Sequence, residues 1–285
     1  MTVELALLSR VKYRSLEITG SRLQGLLALL AEDPHGGCSA SRLVDALWPD
    51  EQPEHPFKAL QILVSRARAR LGPGIIVSTP RGYRLSLRDD QIDASVVLLS
   101  ASESEKWSRA GDHLAALGHA EAGLALCDGA ADWDAGDGHP LSVLRAARVP
   151  AYRSLLRARA LALSRLGRRA EAAAPLGELI LEYPRDEEVL AELLRCEAVT
   201  VAPAAALARY ADYQRVLRDE LGSDPGPVLQ DVHQELLRAD APLIRRGVWH
   251  EPNPLLGRHD DIAAVADLLR TSRVTSIVGT GGLGK

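Results

Sequence analysis

The sequence predicts a mainly α-helical chain, with a small α+β winged helix-turn-helix first and an all-α helical array after it. Three observations lead there. Strand-like alternation is confined to residues 1–92, where it flanks three short helical stretches. From Asp93 to Asp240 apolar residues recur at helical spacing with no convincing strand. The two parts also differ in charge: residues 1–90 hold 12 Lys+Arg against 10 Asp+Glu, whereas residues 91–240 hold 16 against 24.

In chain order, Val3, Leu5 and Leu7 alternate as on a half-buried strand over Val3–Leu8, and Leu16 and Ile18 repeat the pattern after a polar break. Ser21 can cap a helix over Arg22–Glu32 whose inner face is Leu23, Leu26, Leu27 and Leu30, ended by Pro34 and Gly36-Gly37. Ser39 caps a second, short helix with Leu43, Ala46 and Leu47 inward, closed by Trp48-Pro49. A third helix runs from about Pro56 to Leu71 and stops at Gly72-Pro73-Gly74. Ile75–Ser78 and Tyr83–Leu87 then read as a hairpin about Thr79-Pro80-Arg81-Gly82. The later segment is helical, with breaks at Asp128–Pro140, Tyr183-Pro184, Thr200–Pro203 and Ser223–Pro227. Its stretch Arg153–Pro184, with Leu156, Ala160, Leu163, Ala172, Leu176 and Leu179, has the length and layout of a tetratricopeptide repeat. Residues 1–92 and 93–240 are each expected to have a core, joined by a modest interface. Residues 241–257, with Pro242, Pro252 and Pro254, read as a linker.

The function lies in a charge window. Between Glu54 and Asp89 there is no acid, yet there are seven cations: Lys58, Arg66, Arg68, Arg70, Arg81, Arg84 and Arg88. On the third helix Leu60, Val64, Ala67 and Leu71 form an apolar face, opposite Lys58, Gln61, Ile62, Ser65 and Arg66, with Arg68 and Arg70 at the flanks. Cations there can neutralise phosphates, Arg or Gln can pair with guanine or adenine edges in the major groove, and Ile62 can touch a thymine methyl. Arg81 at the hairpin turn would reach an adjacent groove or phosphate. A solvated amphipathic helix would show the same face; the two helices before it and the hairpin after it favour DNA.

The C-terminal stretch Gly279-Thr280-Gly281-Gly282-Leu283-Gly284-Lys285 fits the first part of a phosphate-binding loop, with Gly279, Gly284 and Lys285 at the signature positions. Val274–Val278 reads as the strand before it and Ile262–Leu269 as an amphipathic helix before that. The magnesium-binding hydroxyl, the following helix and an acidic strand are not among these residues. No ATP turnover is therefore expected of them, and ATP with magnesium is expected only of a longer protein.

Taken together, ASRLVDALWPDEQPEHPFKALQILVSRARARLG followed by VSTPRGYRLSL closely resembles the OmpR-type winged helix of the Streptomyces antibiotic regulatory proteins. Those activators pair it with a tetratricopeptide-like bacterial transcriptional activator domain, whose end LARYADYQRVLRDELGSDPGPVLQDVHQELLRAD resembles. Larger members continue into a STAND-type ATPase, whose entry is similar to LLGRHDDIAAVADLL and IVGTGGLGK. The first strand lacks the Gly-Pro usual in that family, so an irregular N-terminal sheet is expected. The resemblance implies a DNA-binding domain at 1–92, an activator domain at 93–240 and the start of an ATPase domain at 258–285. It also implies activation of a secondary-metabolite gene cluster by a homodimer on direct repeats in promoter DNA. The polymerase holoenzyme, through its sigma, beta and alpha subunits, is the implied partner, and the loop Trp48–His55 is the part that would face it. A nucleotide-driven switch in the full-length protein is the alternative role.

Other chemistry finds little support. Asp132-Trp133-Asp134-Ala135-Gly136-Asp137-Gly138-His139 is a poor calcium loop, with Gly136 at its fifth position and Val143 at its twelfth. The histidines form no triad or metal set, and Cys38, Cys127 and Cys196 match no metal spacing. No catalytic residue is expected. With no signal peptide and no apolar stretch of spanning length, a cytoplasmic location is expected, without membrane association.

Overall fold

A computed structural model describes residues 3–128, Trp133, 138–240 and 263–268. The chain opens with an antiparallel sheet of three two-residue strands in the order β1 (Leu5–Ala6), β2 (Lys12–Tyr13), β3 (Leu16–Glu17). The expected alternation breaks after β1, because Leu7 and Leu8 are both buried. Their backbone N–H groups turn inward together and donate to one Asp93 carboxylate oxygen at 2.8 and 2.9 Å.

Helix α1 (Ser21–Glu32) begins at Ser21, but Gly20 holds the cap position and no side chain caps the helix. The expected capping role of Ser21 is therefore corrected: its Oγ lies 2.9 Å from His139 Nε2. Every residue from Gly25 to Ala31 is buried, rather than one stripe, because later helical residues cover the second side of α1. Helix α2 (Ala40–Leu47) is capped by Ser39, whose Oγ accepts from the Arg42 N–H at 3.3 Å. Helix α3 (Pro56–Leu71) starts with a proline, which needs no N–H there, and ends at Gly72 with φ of 115°.

The hairpin β5 (Ile76–Ser78) and β6 (Gly82–Leu85) is present, and β6 also pairs with a strand the sequence did not reveal, β4 (Cys38–Ser39). Close approach makes this pairing possible. A Cβ on Gly82 would lie 2.1 Å from the Cys38 carbonyl oxygen, and one on Gly37 would lie 2.5 Å from that of Tyr83.

A 3-10 turn (Asp89–Gln91) leads into α4 (Asp93–Arg109), followed by α5 (His113–Leu124), α6 (Pro140–Ala146), α7 (Val149–Arg165) and α8 (Arg169–Glu182). Then come α9 (Glu187–Thr200), α10 (Pro203–Leu221) and α11 (Pro227–Asp240). The proline-marked breaks fall where expected, and α7 with α8 forms the predicted helix pair. In α7 Ala160 and Leu163 are fully buried as expected, and Leu155 takes the place expected of Leu156. Neighbours pack in sequence, α4 on α5, α5 on α7, α7 on α8, α8 on α9 and α9 on both α10 and α11, while α6 leaves the array to lie on α1.

Residues 93–240 have apolar clusters of their own, but the core of residues 1–92 is not separate from them. One apolar cluster runs from Leu5 and Leu27 through Ile92, Ala94 and Val97 to Leu144, Val149 and Leu155. Polar contacts accompany it. Arg145 Nε donates to the Leu7 carbonyl at 2.9 Å, Trp133 Nε1 to the Leu8 carbonyl at 3.1 Å, and Arg148 Nε to the Ala94 carbonyl at 2.9 Å. Asp93 at the start of α4 lies at this junction, its carboxylate accepting from the Leu7, Leu8 and Ala94 N–H groups. Burial pushes its carboxyl up from the ordinary value, against the pull of those N–H groups. Two further clusters hold the array, one around Leu163, Leu176 and Leu193, the other around Leu194, Tyr210 and Leu229.

Among the remaining described residues, 263–268 are helical, inside the expected Ile262–Leu269. Val274–Val278, Gly279, Gly284, Lys285, the linker 241–257 and most of the calcium-like loop lie outside the described residues. Among the described residues no helix is long and apolar enough to cross a membrane, and no cluster of His, Cys, Asp and Glu could hold a metal ion.

Candidate nucleic-acid interface

Helix α3 is set by its buried face. Leu60, Val64, Ala67 and Leu71 are the buried residues, as the spacing predicted, and they fix which side of the helix reaches solvent. Lys58, Gln61, Ser65 and Arg66 are exposed, and Ile62, at 46% exposure, is an aliphatic side chain held in water. Burying only one stripe of α3 turns this whole row outward.

The seven cations of the acid-free window do not share one fate. Arg68 is half-buried against the hairpin: its Nε donates to the Ile76 carbonyl at 2.8 Å, its Nη2 to Ser78 Oγ at 3.0 Å, and its guanidinium lies 5.9 Å from the Tyr83 ring centre. Arg70 donates to the Glu17 carbonyl at 2.9 Å and Arg84 to that of Leu85 at 3.1 Å. Arg88 pairs with Asp90 at 2.9 Å, which holds that carboxyl below its ordinary value. The side chains of Lys58, Arg66 and Arg81 make no hydrogen bond or ion pair among the described residues, and all three residues are exposed. These three unanswered charges, on one helix face and the hairpin turn, are what the structure leaves available to an anionic partner.

The hairpin turn is built to present Arg81. Thr79 N–H donates to the Gly82 carbonyl at 2.9 Å, Gly82 N–H returns to Thr79 Oγ1 at 3.1 Å, and the Arg81 carbonyl accepts from Ala40 N–H at 2.9 Å. The backbone of Arg81 is thus anchored to the start of α2 while its side chain is exposed. The tie from Arg68 fixes β5 to α3, so helix and hairpin are held in one orientation.

Phe57 is a feature the sequence reading passed over. It is 56% exposed beside Lys58 in the first turn of α3. Standing three residues before Leu60, it has the spacing of a core residue, so nothing in the pattern signals its exposure. Beside the helix, a cleft of about 1130 Å³ lies between Leu63 and Arg66, the Trp48–Glu51 loop, and His139 and Pro140. Trp48 is buried at its edge with the Arg22 guanidinium 5.6 Å from its ring centre.

Comparison with known proteins agrees with this architecture. Residues 92–237 match the bacterial transcriptional activator domain. The transcriptional regulator RedD of Streptomyces coelicolor is 32% identical over 249 residues, which are 82% of this chain and 69% of RedD. The chain belongs to the Streptomyces antibiotic regulatory protein family. The regulatory protein AfsR of Streptomyces coelicolor is 36% identical over 228 residues, and AfsR of Streptomyces griseus 30% over 269. The chain spans about a quarter of the length of those two relatives, 23% and 27%. A solved structure of Mycobacterium tuberculosis EmbR, in complex with a low-affinity phosphopeptide, superposes with a TM-score of 0.62 at 22% identity. That superposition covers 92% of this chain and 68% of EmbR, and it supports the winged helix followed by a helical domain as the fold of this family member.

Proposed function

We propose that this regulator is a sequence-specific DNA-binding transcription activator of a secondary-metabolite gene cluster, with no catalytic function in the described residues. Residues 1–92 bind the promoter, 93–240 form the activator domain, 241–257 link it onward, and 258–285 begin a nucleotide-binding domain. The observation that carries the reading is the row of exposed Lys58, Gln61, Ile62 and Arg66 on α3 together with Arg81 on the hairpin, its three cations unpaired within the fold. Arg66 and Gln61 stand mid-helix and read base edges, Ile62 meets a thymine methyl, and Ser65 serves either a base or a phosphate. Lys58 and Arg81, toward the helix start and the hairpin turn, neutralise phosphates. Arg68, by its contacts with Ile76 and Ser78, positions the hairpin against α3 rather than meeting DNA first.

Two copies bind side by side on direct repeats and recruit RNA polymerase. Repeats about 10–11 base pairs apart would put both helices on the same face of the duplex. The cleft beside the Trp48–Glu51 loop supports a polymerase contact there, next to the recognition helix. Protection footprinting on the promoters of the neighbouring gene cluster tests the reading. Paired protected repeats are expected, and inserting about five base pairs between them abolishes cooperative binding. Absence of protection at low salt would overturn the proposal.

A further inference from the structure

Phe57 is the chain's only phenylalanine, and it is 56% exposed. Among the described residues up to Ile92, the large apolar side chains that stand exposed are Leu16, Phe57 and Ile62. Two of those three lie five residues apart on α3. A lone exposed apolar residue needs no explanation, but two on a helix that also presents unpaired cations do. The backbone beneath Phe57 is firm. Pro56 opens the helix, and Ala59 N–H donates to the His55 carbonyl at 3.0 Å, closing the first turn around Phe57.

Helical geometry fixes how the two relate. Ile62 stands one turn after Lys58 and one turn before Arg66, while Phe57 stands one turn before Gln61. Phe57 and Ile62 are therefore about 7.5 Å apart along the axis and about 140° apart around it, on opposite sides of the row formed by Gln61 and Ser65. Base pairs rise by about 3.4 Å, so the two side chains straddle about two base-pair steps. Cations and amides on α3 have phosphates and base-edge acceptors to meet in a major groove, and neither suits an aromatic ring or an aliphatic chain. The apolar group that the groove offers on a base edge is the C5-methyl of thymine.

We propose that Phe57 is a specificity-determining residue seated against a thymine methyl of its own, so that Phe57 and Ile62 together require two thymines about two base pairs apart in each repeat. The proposal rests on the reading of α3 as the helix in the major groove, and adds to it a base preference that no hydrogen bond supplies. The apolar area of the ring is then covered by DNA and not by the fold.

Replacing thymine by uracil removes the methyl and keeps every hydrogen-bonding atom of the base. With the full chain and the footprinted operator, each thymine of both strands is replaced in turn by deoxyuridine, and binding is measured by fluorescence anisotropy. Two thymines per repeat should each lose about fourfold in affinity as uracil, the worth of one buried methyl-sized group. Phe57→Ala should bind the unmodified operator at least about fourfold more weakly, become indifferent to uracil at one of the two thymines and stay sensitive at the other. Ile62→Ala should show the reverse. The salt slope should stay at wild type in both variants, since an apolar contact releases no counterions. Both side chains are exposed, so the thermal midpoint should not move, which separates a lost contact from misfolding. If uracil at every thymine left affinity unchanged, or if Phe57→Ala kept the full uracil effect at both thymines, the proposal would be overturned while α3 remained a DNA-binding helix. Unchanged DNA affinity in Phe57→Ala with loss of transcription by polymerase would also overturn it, making Phe57 a polymerase contact. A wild-type chain that bound no duplex would overturn the underlying reading, and the proposal with it.

Discussion

On α3 and the hairpin, Lys58, Arg66 and Arg81 reach solvent unanswered, whereas Arg157, Arg165 and Arg195 of the helical array are threaded between carboxylates. Arg157 on α7 meets Asp186 at 2.7 Å and Glu188 at 2.5 Å, and Arg165, about two turns further along the same face, shares Glu188 at 2.5 Å and meets Glu192 at 3.4 Å. Arg195 continues the ladder from Glu192 at 3.1 Å to Glu235 on α11 at 3.1 Å. Ser164 donates to the remaining Glu192 oxygen at 2.6 Å. The same residue type therefore does two jobs. In the array, charge is spent within the fold and joins α7, α9 and α11; at the recognition helix it is withheld from the fold and kept for a partner. Composition alone cannot separate these uses, since both halves are rich in arginine.

That contrast can be broken most sharply at the unpaired cations. Replacing Lys58, Arg66 and Arg81 together by Ala should cost about 3 kcal/mol or more in operator binding and flatten the salt slope by about two units, one each for the phosphate contacts of Lys58 and Arg81, with the thermal midpoint unchanged. Binding that survives with its salt dependence intact would move the interface elsewhere. Next in size is Arg68→Ala. Freed from Ile76 and Ser78, the hairpin loses its orientation, and affinity should fall about tenfold with the salt slope preserved, because a positioning contact releases no counterions. Arg68→Lys should not restore it, since an ammonium cannot bridge a carbonyl and a hydroxyl as the planar fork does. A drop in salt slope would instead make Arg68 a phosphate contact.

The array predicts the converse. Arg157→Ala takes from Asp186 its ion-pair partner and leaves Glu188 with Arg165 alone, and should cost about 1–2 kcal/mol of stability, partial exposure keeping the cost down, while operator affinity stays at wild type. Acid should act on the same ladder. Burial would raise the carboxyls of Asp186 and Glu188, but Arg157 with the Val189 N–H holds Asp186 below its ordinary value and Arg165 with Arg157 holds Glu188 below its own; Arg195 does the same for Glu235. A depressed carboxyl contributes its stability above the unfolded value, about 4, and loses it as pH falls through the folded value. The thermal midpoint should be flat from neutral pH down to about 5 and drop below about 4, less steeply in Arg157→Ala. An equal drop in both proteins would remove the ladder from the account.

Much of this was legible in the residues. Pro56, Gly72 and the spacing of Leu60, Val64, Ala67 and Leu71 mark the ends and buried face of α3, because a helix needs its breakers and its stripe locally. The prolines at 140, 184, 203 and 227 divide the array for the same reason. What could not be read is what depends on distant partners. Strand β4 is two residues long and carries no period; it exists because Gly37 and Gly82 let β6 approach. Ser21 has the chemistry of a cap, yet its hydroxyl meets His139, 118 residues away. A periodic stripe shows that α1 is apolar but not that α6 covers its other side, so the common core across position 92 was hidden. The fate of each arginine lies in side-chain geometry: Arg66 and Arg68 are two residues apart on one helix, and one is free while the other is tied down.

The division of labour along α3 is the central claim, and Arg66→Ala against Lys58→Ala tests it most directly. Binding of both variants is measured on the matched site and on every single-base substitution of it, over a salt series. Arg66→Ala should cost about 1–3 kcal/mol and relax preference at one base pair, whereas Lys58→Ala should weaken all sites alike and lower the salt slope by about one unit. If Arg66→Ala lowered affinity uniformly with specificity intact, α3 would not lie in the groove as proposed.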